Sequence, residues 1–207
     1  MVLAAPITKQ LDATWAVGTN AGGLNTGADA NSTWYEVHLI KRQDTGVVDV
    51  MFTTTANRAT LPANYTHKRR IGWVRRNAAN DSLLQFSQSN DYFTWITQIN
   101  DAGGTVSESA APLTLTVPPS CCARFRAVAV STTAVNEEAV VLFSEIIEGS
   151  VTPTAGSGTG SLGLSDQSLT AAGHFELLVS ATSTIEIDSD NAVATYVARL
   201  PAEYAAL

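Results

Sequence analysis

An all-β fold, an antiparallel β-sandwich of jelly-roll type with little helix, is predicted by three features of this chain of 207 residues. Apolar and polar residues alternate in many short runs, the period of a strand whose two faces meet different surroundings. Turn residues punctuate those runs at intervals of about 8–12 residues, the spacing of sandwiches and barrels. Thr, Ser, Ala, Val and Gly are abundant while charges are sparse, a texture that suits pleated strands and turns. No window shows i, i+3, i+4 apolar spacing between capping signals. "STTAVNEEAVV" comes nearest, and its β-branched residues favour a strand.

Residues 1–14 read as an N-terminal arm, followed by a glycine-rich entry, "GTNAGGLNTG". "WYEVHLIKR" (34–42) alternates, with Tyr35, Val37 and Leu39 on one side and Glu36 and His38 on the other, polar side. "QDTG" then turns the chain into "VVDVMF" (47–52), so 34–53 reads as a hairpin. Pro62 and Asn64 mark an irregular connection. Further strands are expected at 70–76, 82–87, 92–98, 113–117, 124–131, 139–146, 174–180, 184–188 and 194–200. The separators are "NAAND", "NDAGG", "VPPS", "TAGSGTGSLG" and "SDN". Residues 153–163 form a Gly/Ser-rich loop by composition. The expectation is one β-rich domain over 1–207, because the residues after that loop are too few for a stable core of their own.

Charge is unevenly placed. Residues 1–76 hold nine Lys and Arg against five Asp and Glu, and residues 77–207 hold three against fourteen. The acidic balance argues against general nucleic-acid binding. Cys121 and Cys122 are adjacent, a spacing that closes a disulfide only with strain, so two free thiols and a reducing compartment are expected. "MVLAAPITKQLDATW" lacks the charged start and long apolar core of a signal peptide. No run reaches the ~20 apolar residues of a membrane-spanning helix.

No catalytic, cofactor-binding or metal constellation emerges. Gly18 and Gly23 share the spacing of a phosphate loop, but Leu24 and Asn25 stand where Lys and Ser or Thr are needed. Gly18, Gly22, Gly23 and Gly27 are better explained as positive-φ turn residues. Gly158, Gly160 and Gly163 match a dinucleotide fingerprint without the strand and helix it requires. His38, His67 and His174 stand in no metal-ligand spacing and read as solvated surface residues. No G-x-S-x-G elbow occurs. Glu186, Asp188 and Asp190 share one face of an extended strand, which fits either a cation site or, more commonly, a solvated edge. The most unusual chemistry is "HKRRIGWVRR", where Lys68, Arg69, Arg70, Arg75 and Arg76 surround Trp73. Arginines beside an aromatic suit phosphate or stacked bases. A subunit contact or an ion-pair belt is the favoured alternative.

The ordered series "WAVGTNAGGLNTG", "NSTWYEVHLI", "DTGVVDV" and "LPANYTHKRRIG" resembles a block of tailed-bacteriophage and prophage virion proteins, of the tail-fibre or distal-appendage type. "VPPSCCARFRAV" resembles the strand that follows in those proteins, with Ser120, Cys121 and Cys122 where a glycine turn is expected. The resemblance implies a non-enzymatic virion component, assembled in the host cytoplasm, without cofactor. Its implied partners are copies of itself, a trimer being favoured, other tail or capsid proteins, and a host-surface receptor or glycan. The block begins almost at Met1 with no fibre repeat ahead of it, so a separate appendage tip or a small protein attached to the capsid or tail body is expected. Capsid decoration or a head fibre is the alternative role.

Overall fold

The structure, a computed structural model, describes residues 1–79, 82–89, 92–97, 99–105, 111–131, 138–144, 160–165, 170–180, 183–189, 194–200 and 203–205. Its described residues are all-β, and one short 3₁₀ turn, Thr55–Asn57, is the only helical element among them. Two compact units divide the chain, Met1–Leu84 and Gln85–Leu207. The division falls at "NAANDSLLQ" rather than at the Gly/Ser-rich segment.

The first unit is a five-stranded sheet. Its strands are β1 (Lys9–Thr14), β2 (Ala21–Leu24), β3 (Trp34–Arg42), β4 (Val48–Thr53) and β5 (Tyr65–Arg75), in the order β1-β2-β4-β3-β5. The hairpin β3–β4 forms where alternation and "QDTG" place it, with Glu36 opposite Thr53 and Lys41 opposite Val48. Gly46 turns it at φ +73°, donating its N–H to the Arg42 carbonyl. β5 runs antiparallel to β3 with Ile71 as the extra residue of a bulge, because Val37 meets Gly72 while His38 meets Arg70.

The sheet is mixed, not wholly antiparallel: β1 pairs β2, and β2 pairs β4, in parallel. Lys9–Thr14, the second half of the expected arm, is therefore an edge strand. Gly22 and Gly23 are not turn residues but lie within β2, for a packing reason. A Cβ on Gly22 would stand 2.0 Å from the Thr14 carbonyl oxygen, and one on Gly23 2.8 Å from the Phe52 ring. Gly18 and Gly27 do take positive φ, +96° and +85°.

Parallel pairing calls for cover on both faces, and both are covered. One face packs Leu11, Leu24, Tyr35 and Phe52 with Val37 and Val74. The other packs Ile40, Met51 and Tyr65 beneath Trp15 and Leu61, residues that flank β2 and β5 in connecting segments.

The second unit holds β6 (Phe86–Ser89), β7 (Tyr92–Trp95), β8 (Ile99–Thr105), β9 (Ala111–Thr114), β10 (Cys122–Ser131), β11 (Glu138–Ser144), β12 (Gly160–Ser165), β13 (Thr170–Leu178), β14 (Thr184–Ser189), β15 (Ala194–Leu200) and β16 (Glu203–Ala205). Seven of them form a sheet along β6-β7-β16-β10-β15-β8, with β13 also on β10, and four form β12-β11-β14-β9. Every described pairing in this unit is antiparallel. β10 is central: β13 lies along one edge, and β15 and β16 share the other. "NDAGG", expected as a turn, lies inside β8, where Gly103 and Gly104 meet Val197 and Tyr196. Residues 160–163 of the expected loop belong to β12, and 153–159 lie outside the described residues.

Candidate functional site

Alternation places Glu36, His38 and Ile40 on one face of β3, and pairing aligns them with Thr53, Met51 and Asp49 of β4. This is the face that Trp15 and Leu61 cover, so its polar residues are buried. Glu36 is 1% exposed and His38 4%. The expected surface histidine is thus an interior one, because loop residues cap the polar side of the strand.

His38 Nε2 and Glu36 Oε2 are 2.7 Å apart. The other carboxylate oxygen, Oε1, lies 2.9 Å from the Arg58 guanidinium and 4.0 Å from that of Arg70. Arg58 follows the 3₁₀ turn, and its carbonyl accepts a hydrogen bond from Lys68 Nζ. One buried carboxylate therefore gathers β3, β5 and the 54–64 connection. His38 Nδ1 makes no hydrogen bond.

β5 distributes the basic run by alternation and by its bulge. Arg70 stacks 5.1 Å from the Trp73 ring, Trp73 meets Trp34 edge-on at 6.3 Å, and Arg75 lies 5.8 Å from Trp34. Trp73 itself is 1% exposed. Arg76 pairs with Asp29 and donates to Asn31, which ties the approach to β3 onto the end of β5. Lys68 and Arg69 are exposed; Arg69, opposite Leu39, belongs to the other face. Lys68, Arg70, Trp73, Arg75 and Arg76 thus all have partners within their own unit. The cluster is an ion-pair and cation–π ladder bracing the edge strand, with its exposed charge confined largely to Lys68 and Arg69.

The remaining candidates are dispersed. His67 is exposed beside Thr66 on β5, and His174 lies on β13 opposite Arg126. Glu186 and Asp188 occupy β14 opposite Ser144 and Leu142, while Asp190 lies outside the described residues. Cys121 and Cys122 are both free thiols. Burial, and then the neighbouring Cys122, push the Cys121 thiol up to about 12, so it is no ready nucleophile. Among the described residues no three His, Cys, Asp or Glu side chains come together as a metal site. No helix among them is long and apolar enough to cross a membrane.

Glu36 and Arg58 escape a sequence reading because alternation names a face without saying what covers it. Lys9 and Asp49, a second buried pair at 3.0 Å, escape it because Lys9 reads as part of an arm. No protein-family model, no curated protein and no solved structure matches the chain.

Proposed function

We propose that this chain is a structural β-module of a tailed-bacteriophage virion, a surface-exposed tail-fibre or appendage component that binds a host receptor or glycan and works as a homo-oligomer. The observation that carries this proposal is a coincidence of boundaries. The ordered motif series that resembles virion proteins runs from Trp15 to Gly72 and falls within the compact unit Met1–Leu84, while the looser likeness at residues 117–128 lies in the other unit. Each motif is one working piece of a single sheet. "GTNAGGLNTG" supplies β2 with its close-packed glycines, "NSTWYEVHLI" the interior strand β3, "DTGVVDV" the hairpin, and "THKRRIG" the bulged edge β5. A motif series that reaches four of the five strands of one sheet argues for a transferable module more strongly than any isolated match.

The exposed basic stretch at Thr66–Arg69 suits contact with another protein rather than burial within the unit. Purified chain is expected to bind host cells or their surface polysaccharide and to run as a trimer in native mass measurement. Binding to undecorated capsids, with none to cells, would instead assign the capsid-decoration role. Release of reducing ends from host polysaccharide would replace both with a glycan-cleaving activity.

A further inference from the structure

Lys9 on the edge strand β1 and Asp49 on the interior strand β4 face each other at 3.0 Å, Nζ to Oδ1, with side chains 1% and 2% exposed. Their surroundings are fixed. Lys9 Nζ lies 5.2 Å from the Trp15 ring centroid and donates to the Ala16 carbonyl. Trp15 is held in turn by its indole N–H, which donates to the Val50 carbonyl at 2.9 Å, and by an edge contact with Tyr65. The Asp49 carboxylate accepts the Gly18 N–H on Oδ2 at 2.9 Å and the Val50 N–H on Oδ1 at 2.7 Å.

Sealing an ammonium and a carboxylate away from water penalises both ions, whereas an amide formed from the same atoms is neutral. Holding an amine and a carboxyl in contact also removes the entropic barrier to their reaction. We infer that Lys9 and Asp49 condense to an intramolecular isopeptide bond once the unit has folded.

The step balances without any added reagent. A proton passes from the Lys9 ammonium to Asp49 Oδ1, and the freed Nζ lone pair attacks Cγ. Negative charge collects on Oδ2, where the Gly18 N–H receives it. A second proton moves from nitrogen to Oδ1, the Cγ–Oδ1 bond breaks, and one water leaves. An ammonium and a carboxylate thus become an amide and water, with no change of oxidation state. The product ties the edge strand to the middle of the sheet and closes the chain between residues 9 and 49, so that tension on the N-terminus bears on a covalent bond.

Intact-mass measurement of the purified, denatured full chain tests this. The wild-type chain is expected to be lighter than its sequence by one water, after allowance for removal of Met1, and tandem fragmentation is expected to find a branched peptide joining residues 9 and 49. Lys9→Met and Asp49→Ala should each restore the full mass. A wild-type chain of full mass overturns the inference. So does a loss of water that survives Lys9→Met, which would mark a cyclised aspartate instead. Because the wild-type chain carries the deciding measurement, misfolding of a variant leaves the test intact.

Discussion

Among the side chains the structure describes, those buried in Met1–Leu84 include Glu36, His38, Asp49, Thr53, Arg76 and the Lys9 side chain, whereas those buried in Gln85–Leu207 are apolar apart from Thr116 and Ser183. The sheets differ in the same sense. Parallel pairs in the first unit demand cover on both faces, and connecting segments supply it over a face whose strands carry charge. The second unit pairs its strands antiparallel and buries Phe93, Trp95, Leu115, Leu177 and Ile185. Buried charge is tolerable only with a partner, so the first unit trades hydrophobic latitude for a few specified contacts.

The largest expected effect probes what the two interiors share. Trp73→Ala removes the ring between Trp34 and Arg70, and Phe93→Ala removes the ring beside Phe86. Each should cost about 3–5 kcal/mol, read by urea unfolding with amide exchange to assign the strands affected. A loss under about 1 kcal/mol in Trp73→Ala would show that the aromatic ladder is not what braces β5.

The next test separates the interiors. His38→Leu strips Glu36 of its 2.7 Å partner and leaves a buried carboxylate to the arginines, at a cost of about 3 kcal/mol in the same unfolding measurement. Adding Glu36→Leu removes the stranded charge as well, and Arg58, half exposed, turns to water. The double variant should therefore be more stable than His38→Leu alone, by about 1 kcal/mol or more. A double variant less stable than the single would mean that Glu36 acts mainly through Arg58 and Arg70.

Legibility in the sequence follows the same division between pattern and cover. β3 and its hairpin were open to reading because alternation and a glycine turn are local. β10, β14 and β15 are legible from short alternating runs between turn residues for the same reason. β1 and β2 were missed: "AGGL" reads as turn chemistry, and the need for glycine there comes from Thr14 and Phe52, which only pairing brings near. β8 was missed because Asn, Asp and two glycines outweigh its single isoleucine. The basic run was conspicuous, yet its partners Glu36, Asp29 and Trp34 lie far away in sequence. Which arginines are engaged was therefore not readable.

Glycine gives a smaller and graded effect. Gly22→Ala drives a Cβ into the Thr14 carbonyl, so β1 must shift, at about 2 kcal/mol. Gly18→Ala meets nothing within 4 Å and pays only for its φ of +96°, about 1 kcal/mol. Thermal unfolding should rank them in that order. The reverse ranking would mean that the Gly18 N–H contact to Asp49 matters more than the approach of β1 to β2.

The smallest effect comes from an ion pair that burial does not touch. Arg42 hydrogen-bonds Asp44 through both Nε and Nη2, and the Thr45 N–H adds a third bond, in the exposed turn between β3 and β4. The Arg42 hydrogen bonds, assisted by Thr45, hold the Asp44 carboxyl down to about 2 from its ordinary 3.8. A lowered value means that its contribution is present above the ordinary carboxylate range and is lost as pH falls through about 2. Solvent screens the pair, so Asp44→Asn should leave the urea midpoint at neutral pH within experimental scatter, while an NMR titration of the wild-type carboxyl should show the low midpoint. The contrast with Glu36 is the point of the measurement, since both carboxylates face arginine and only one is sealed from water. If Asp44→Asn destabilised the chain as much as His38→Leu, turn geometry rather than burial would decide which charges this unit cannot lose.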